Sequence, residues 1–354
     1  MRDAHFRHGG NATKVAAELG CSRGYAGGRR PPELESQVAR RATPESIQTA
    51  RAKPKRRPLD EATVAACEAI FERMKAHTPD YSGLPELAIP DDPHLLEIDL
   101  FDAHFGKLAW EPETGNDYDL KIAERLYLTA VEELVRKSRG YNIGRILFPF
   151  GSDMIHVDGS TNMTTAGTPQ SVDGRFTKIV ETVFSVKVKA TDMLAQIAPV
   201  DIVHIPGNHD FTTSWMIGHS LASWYRNSDR VKVDIRPRSR KYYRYGVTLI
   251  GLTHGNEENP KSLPMLMANE CRDKGWAETT HHEWHIGHLH KQKKTETITT
   301  DTTDGVVTRI LGSLSATDAW HFLKGYVGNR RVAEAYLYSF ADGYTGHFNA
   351  LARN

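Results

Sequence analysis

The stretch Ile202-Val203-His204-Ile205-Pro206-Gly207-Asn208-His209-Asp210 decides how this chain is read. Its apolar run has the length and branched character of a buried strand. It delivers a tight turn in which Gly207 lets the backbone come close to a ligand. An amide oxygen, an imidazole and a carboxylate are thereby presented at one strand end. Asn and Asp are also ordinary turn residues, so the tetrapeptide takes its weight from similar clusters elsewhere. Asp102-Ala103-His104 follows the run from Leu95 to Phe101, and Gly151-Ser152-Asp153 follows Ile146 to Phe150. Thr253-His254-Gly255 follows Val247 to Leu252, and His288-Leu289-His290 comes later. Together these supply the oxygen and nitrogen donors of a two-metal hydrolytic site. The spacing of two in Asp102-x-His104 puts both side chains on one side of an extended backbone, within reach of one ion.

Working outward, helical spacing predicts a helix from Leu120 to Lys137 and another from Asp173 to about Ala198. Strand, helix and strand alternate, with the polar clusters at strand carboxyl ends, which argues for an α/β layered fold with its site along that edge. Beyond residue 230 the pattern changes. Val231–Ile235, Tyr242–Tyr245, Val247–Leu252, Glu296–Thr300, Val306–Leu311 and Val332–Phe340 read as closely spaced strands, a sheet with hairpins packed against the first half.

With 354 residues, 39% hydrophobic and 25% charged, the chain can bury a large core. No apolar run approaches the ~20 residues a membrane helix needs, and no signal peptide is apparent, so a cytoplasmic protein without a membrane partner is expected. The three cysteines, Cys21, Cys67 and Cys271, lie far apart and suggest neither a disulfide framework nor a cysteine zinc site.

The net charge of +1 hides an asymmetry. Residues 1–58 hold 13 Lys and Arg against 5 Asp and Glu, leaving −7 for residues 59–354. Three regions follow: a basic helical arm over 1–40, a linker with one helix over 41–93, and the main domain over 94–354. In the arm, residues 11–22 resemble the first helix and turn of a helix-turn-helix, although Gly24, Gly27, Gly28, Pro31 and Pro32 would end a second helix early. A DNA-reading unit and a hairpin used in assembly both remain open. Arg23, Arg29, Arg30, Lys53, Lys55, Arg56 and Arg57 are the candidate nucleic-acid contacts, with a solvated charge run as the plainer alternative.

In order, Asp102-x-His104, Gly151-x-Asp153, Gly207-Asn208-His209-Asp210, Thr253-His254-Gly255 and Gly287-His288-Leu289-His290 resemble the motif series of the calcineurin-like metallophosphoesterase superfamily. That resemblance implies a four-layer α/β/β/α sandwich preceded by a small helical segment. It implies that Asp102, His104, Asp153 and His290 hold one divalent ion and that Asp153, Asn208, His254 and His288 hold a second. A hydroxide bridging the two would attack a phosphodiester. Manganese is the first choice, with iron or zinc also compatible with the donors. His209 would face the substrate as a catalytic group, with Asp210 orienting its ring. Ser152 interrupts the family's usual Gly-Asp pair, which leaves Asp158 as a rival to Asp153 for the bridge. Where many members carry a second Asp, this chain has His156, as in repair-type nucleases of the superfamily.

Gly312-Ser313-Leu314-Ser315 and Lys324-Gly325-Tyr326 are similar to the closing segments of SbcD-type nucleases, and residues 156–158, 164–170 and 173–175 to a phage exonuclease-like group. His156, Thr164, Thr165, Gln170 and Arg175 are the candidate substrate contacts. The expectation is a DNA nuclease of exonuclease-like type. The alternatives are a small-molecule nucleotide or cyclic-nucleotide phosphoesterase, and a DNA-binding or assembly protein with a vestigial metal site. A homodimer and an ATPase partner stay open.

Overall fold

The computed structural model describes Glu61, Ala65, Glu68, Ala69 and Glu72, all helical, and then residues 91–288, 300–325, 328 and 330–353. The chain divides into two compact units, Met1–Pro85 and Glu86–Asn354. The basic arm, its seven candidate nucleic-acid contacts and most of the linker lie outside the described residues.

The second unit is a mixed α/β structure with two sheets. The first sheet contains β1 (His94–Asp99), β2 (Ile143–Leu147), β3 (Phe150–Gly151), β4 (Val200–Ile205), β5 (Val231–Asp234), β11 (Val332–Ser339) and β12 (Gly343–Leu351). Its order is β12-β11-β1-β2-β4-β3, with β5 also on β4; β1 to β5 pair in parallel and β11 and β12 join antiparallel. The second sheet runs β6 (Lys241–Tyr245), β7 (Thr248–Thr253), β8 (His281–Ile286), β10 (Val306–Ile310), β9 (Thr300–Thr303). Its central pairs, β7 with β8 and β8 with β10, are parallel, and only its edges are hairpins. The expectation of a hairpin sheet over the whole second half is therefore corrected: β11 and β12 return to the first sheet. Short strand runs show pairing capacity without naming the partner.

After the short α1 (Glu111–Thr114), helices α2 (Leu120–Lys137) and α3 (Phe176–Ala195) pack on the first sheet, as does α4 (Phe211–Trp224), which the sequence reading passed over. Asp119 caps α2 by accepting the Ile122 N–H at 2.7 Å. Leu120, Ala123, Tyr127, Val131 and Leu134 form its buried stripe. Strand parity divides the core. Leu96 and Ile98 of β1 join the cluster with these helices, whereas Leu95 joins Leu147, Ile205, Tyr336 and Tyr338 against Ile250 and Leu252 of β7. A third cluster sets Leu249, Trp284 and Ile286 against Leu263 and Met267, at and within α5 (Leu263–Glu270).

One buried cation ties helix to sheet. The ammonium of Lys187 on α3 donates to Pro149 O at 2.8 Å and sits 3.0 Å from the centroid of the Phe148 ring. Desolvation holds its pKa well below the ordinary lysine value. It anchors the break between β2 and β3, and β3 delivers Ser152 and Asp153. Among the described residues no helix is long and apolar enough to cross a membrane.

Because Leu252 is fully buried in the cluster shared by the two sheets, Leu252→Ala should cost about 2–5 kcal/mol in chemical denaturation. A loss below ~1 kcal/mol would mean that this layer is not close-packed.

Candidate metal centre

Parallel pairing brings the carboxyl ends of neighbouring strands to a common edge, and the polar clusters lie there. The loop after β1 and the loop after β3 are zipped together: Asp102 N donates to Ser152 O at 2.9 Å, His104 N to Asp153 O at 3.0 Å, and Phe105 N to Met154 O at 2.7 Å. From β4, Gly207 N donates to Asp210 Oδ1 at 3.2 Å and His209 N to Asp153 Oδ1 at 2.8 Å. From β8, His288 N donates to Asp102 Oδ2 at 3.0 Å. Side chains needed at one point are thus fixed through their neighbours' backbones.

The backbone itself is unusual. Asp102, His104, Ser152, Asp153 and His288 all have positive φ, between 48° and 61°. Left-handed conformations are disfavoured for residues with a side chain, and they persist where the surroundings impose them, most often at functional sites. This corrects the extended Asp102-x-His104: the side chains meet because the chain turns sharply at both residues.

Three donor groups form here. Asp102, His104 and Asp153 make one, Asp153, His254 and His288 a second, and His104, His156 and His209 a third, each with ligand atoms within 4.8 Å of one another. Any of them could hold a metal ion, and the first two share Asp153. His254 Nε2 stands 3.1 Å from Asp153 Oδ2 and 2.9 Å from Asn208 Oδ1, while its Nδ1 lies 2.9 Å from Ser152 Oγ. The structure therefore gathers Asp102, His104, Asp153, Asn208, His254 and His288; His290 lies outside the described residues.

The electrostatics suit cations. Burial, and Asp153 beside it, push Asp102 up to about 7. For Asp153 burial acts in the same direction, but His254 and His209 outweigh it and hold the carboxyl well below the usual range. Burial alone would lower His254; Asp153 and Asp102 instead raise it to about 9. Burial and the neighbouring His254 lower His288 to about 4. Two buried carboxylates surrounded by imidazoles form a donor set of hard oxygen and borderline nitrogen, as divalent first-row ions require.

The substrate-side expectations divide. His209 donates from Nδ1 to His156 O at 2.9 Å, which leaves Nε2 for the cavity. Asp210 is not its orienter: Asp210 Oδ1 accepts the Gly207 N–H and Oδ2 the Ile155 N–H at 3.1 Å. Burial and Asp153 push Asp210 up to about 8. Its part is to hold the turn, because both carboxylate oxygens are taken by backbone N–H groups, one of them at the glycine that opens the turn. Asp158 is not a bridge either. It accepts from Thr212 N, Thr213 N and Thr213 Oγ1 at the start of α4 and from Thr165 Oγ1.

His156 is buried rather than a surface residue, its Nδ1 3.3 Å from that of His104. A cavity of about 460 Å³ opens over these groups, lined in part by His156, Thr164 and Gln170. Thr165 and Arg175 are not in its wall: Thr165 is committed to Asp158, and Arg175 is exposed where α3 begins. The reading missed the opposite wall, where Asp318 caps α6 (Ala319–Leu323) by accepting the His321 N–H at 2.9 Å and pairs with buried Lys107 at 3.1 Å. Lys107, directly after Gly106, carries no sequence signal of burial, but Asp318 before an aromatic helix is a readable cap.

No family model matches the chain, and no curated protein matches it. Among solved structures it is similar to a double mutant of Vps29 from Entamoeba histolytica, at 14% identity over 72% of this chain and 98% of that one, with a TM-score of 0.24. A likeness that slight bears on neither fold nor function.

A Cβ at Gly207 would collide with Asp153 N and Oδ1 and with Asp210 Oδ1. Gly207→Ala should therefore weaken the binding of an added divalent ion by about tenfold or more in isothermal titration, with the circular dichroism spectrum retained. Unchanged affinity would show that the turn does not set the Asp153 carboxylate.

Proposed function

We propose that this protein is a metal-dependent phosphodiesterase of the calcineurin-like type that cuts nucleic acid, with DNA as the substrate the basic arm favours. The observation that carries this reading is the meeting of Asp102, His104, Asp153, Asn208, His254 and His288 at one strand edge, with His209 beside them. The order of the three apolar clusters, helices on the first sheet, sheet on sheet, then α5, supports an α/β/β/α layering. Asp102, His104 and Asp153, with His290, would hold one divalent ion, and Asp153, Asn208, His254 and His288 the other, manganese before iron or zinc. Two such ions polarise a phosphoryl oxygen and acidify a water.

The chain's own residues supply the rest. Ser152 Oγ at His254 Nδ1 fixes that ring so that Nε2 faces Asn208 and Asp153. His156 O accepts a hydrogen bond from His209 Nδ1–H, so that in the protonated ring Nε2–H is aimed to donate to a phosphoryl oxygen or to give its proton to the leaving oxygen. Trp320, 57% exposed where the cavity opens, offers an aromatic face to a nucleobase.

One observation favours a second reading, a small-molecule nucleotide or cyclic-nucleotide phosphoesterase. Among the described residues the cavity wall contains no Lys or Arg, whereas polynucleotide grooves are usually basic.

His209→Ala should lower kcat on a chromogenic phosphodiester by about 10²–10⁴-fold with metal content unchanged; an unchanged kcat would remove His209 from the chemistry. Deleting residues 1–58 should weaken binding to linear DNA, and flatten its salt dependence, while turnover of the small ester stays constant. Should the full chain cleave the small ester and leave both linear and circular DNA intact, the second reading replaces the first.

A further inference from the structure

A second cluster of metal-ligating side chains lies away from the strand edge, in the layer between the two sheets. Glu97 and Asp99 are two apart on β1 and so share the face that carries Leu95 toward the second sheet; His285 and Glu283 are two apart on β8 and face them. Glu97 and His285 are completely buried, and Asp99 is 2% exposed. His285 Nδ1 stands 3.1 Å from Glu97 Oε1 and 3.2 Å from Asp99 Oδ2, and the donor atoms of all three lie within 4.8 Å of one another. Among the described residues, neither carboxylate oxygen of Glu97 nor Oδ1 of Asp99 accepts a hydrogen bond.

One imidazole nitrogen, His285 Nδ1, faces two buried carboxylates, and Glu97 Oε2 and Asp99 Oδ1 have no donor at all. Carboxylate oxygens buried without donors are costly, and they point here to a further positive partner. The separations fit one, since donors about 2.0–2.2 Å from a zinc-sized ion lie about 3.0–3.5 Å apart. The second nitrogen of His285 fits as well: Nε2 is 3.4 Å from Glu283 Oε2 and 3.3 Å from the Tyr338 hydroxyl. Glu283 is itself held by Arg309, Nε at 2.7 Å and Nη2 at 3.1 Å. A carboxylate that takes the Nε2 proton leaves Nδ1 as a lone-pair donor, the arrangement that orients metal-binding histidines. Charge also balances. Three carboxylates against one guanidinium leave two negative charges; against burial, these acids push His285 well above its usual range, and a divalent ion in place of its Nδ1 proton would cancel them. Nearby Glu334 has its own partners in Gly312 N and His347.

We propose that Glu97, Asp99 and His285 hold a structural divalent cation, zinc-like in its demands, that clamps β1 to β8. The clamp stands three residues before Asp102 and three before His288, so it fixes the spacing at which the His288 N–H meets Asp102.

The test counts ions in the full-length chain grown with added zinc and dialysed against a chelator. The His104→Ala/Asp153→Asn variant, which removes a donor from each of the three strand-edge groups, should keep one equivalent of zinc by mass spectrometry, and adding Glu97→Gln and Asp99→Asn should remove it. A zinc-free His104→Ala/Asp153→Asn variant, or retention after all four changes, would overturn the proposal. Where the fourfold variant fails to fold, crystals of the unaltered zinc-grown chain decide: an anomalous peak between Glu97, Asp99 and His285 supports the site and its absence overturns it. These outcomes are separate from activity, so failure of the phosphodiesterase reading leaves the inter-sheet result standing.

Discussion

Everything at the strand edge depends on one buried carboxylate, Asp153. Its Oδ1 accepts the His209 N–H, its Oδ2 meets His254, and its carbonyl accepts the His104 N–H, so three loops from three strands are referred to a single residue. Burial works against its charge, and imidazoles on two of those loops sustain it. The converse also holds: Asp153 and Asp102 are what raise His254. Each side favours the ionised form of the other, so the two charges are coupled.

Such an arrangement has a conformational cost. Five residues in left-handed conformations at one edge are not a favourable local choice, and the network of backbone bonds around them is what over-determines the outcome. Glycines take the positions where even that would fail. At Gly151, with φ of +93°, a Cβ would overlap Ile205 O, and at Gly207 it would overlap Asp153 itself. The glycines do not bind anything; they allow β3 and β4 to end close enough for Asp153 and Asn208 to face the same histidine.

That division explains what is legible in the sequence. Polar residues directly after apolar runs mark the candidate ligands, because in a parallel sheet the strand end is where a side chain leaves the core and still faces its neighbours. Helix α2 is legible for the same reason, its period matching one buried face. Roles that depend on which loops meet are not. Nothing local says that Asp158 reaches the first turn of α4, that Asp210 turns back to Gly207, or that the His156 carbonyl sets the ring of His209. Pairing partners are equally non-local, which is why β11 reads as a neighbour of β10 when it lies beside β1.

The most informative oversight is in the strand that opens the domain. Leu95-Leu96-Glu97-Ile98-Asp99-Leu100 reads as apolar by its leucines, yet its alternation already separates one wholly apolar face, Leu96 and Ile98, from one that alternates Leu95 with two acids. In a strand at a solvated face those acids would be unremarkable. Every residue of β1 is buried, however, because helices cover one side of the sheet and a second sheet covers the other. A carboxylate can lie in such a layer only with a partner, so the chain had to bring His285, and Arg309 through Glu283, to the facing strands. The inter-sheet layer is therefore as constrained by charge as the strand edge is. Since β1 and β8 lead directly into Asp102 and His288, the same pairing that brings His285 to the buried acids also sets Asp102 and His288 at a common height.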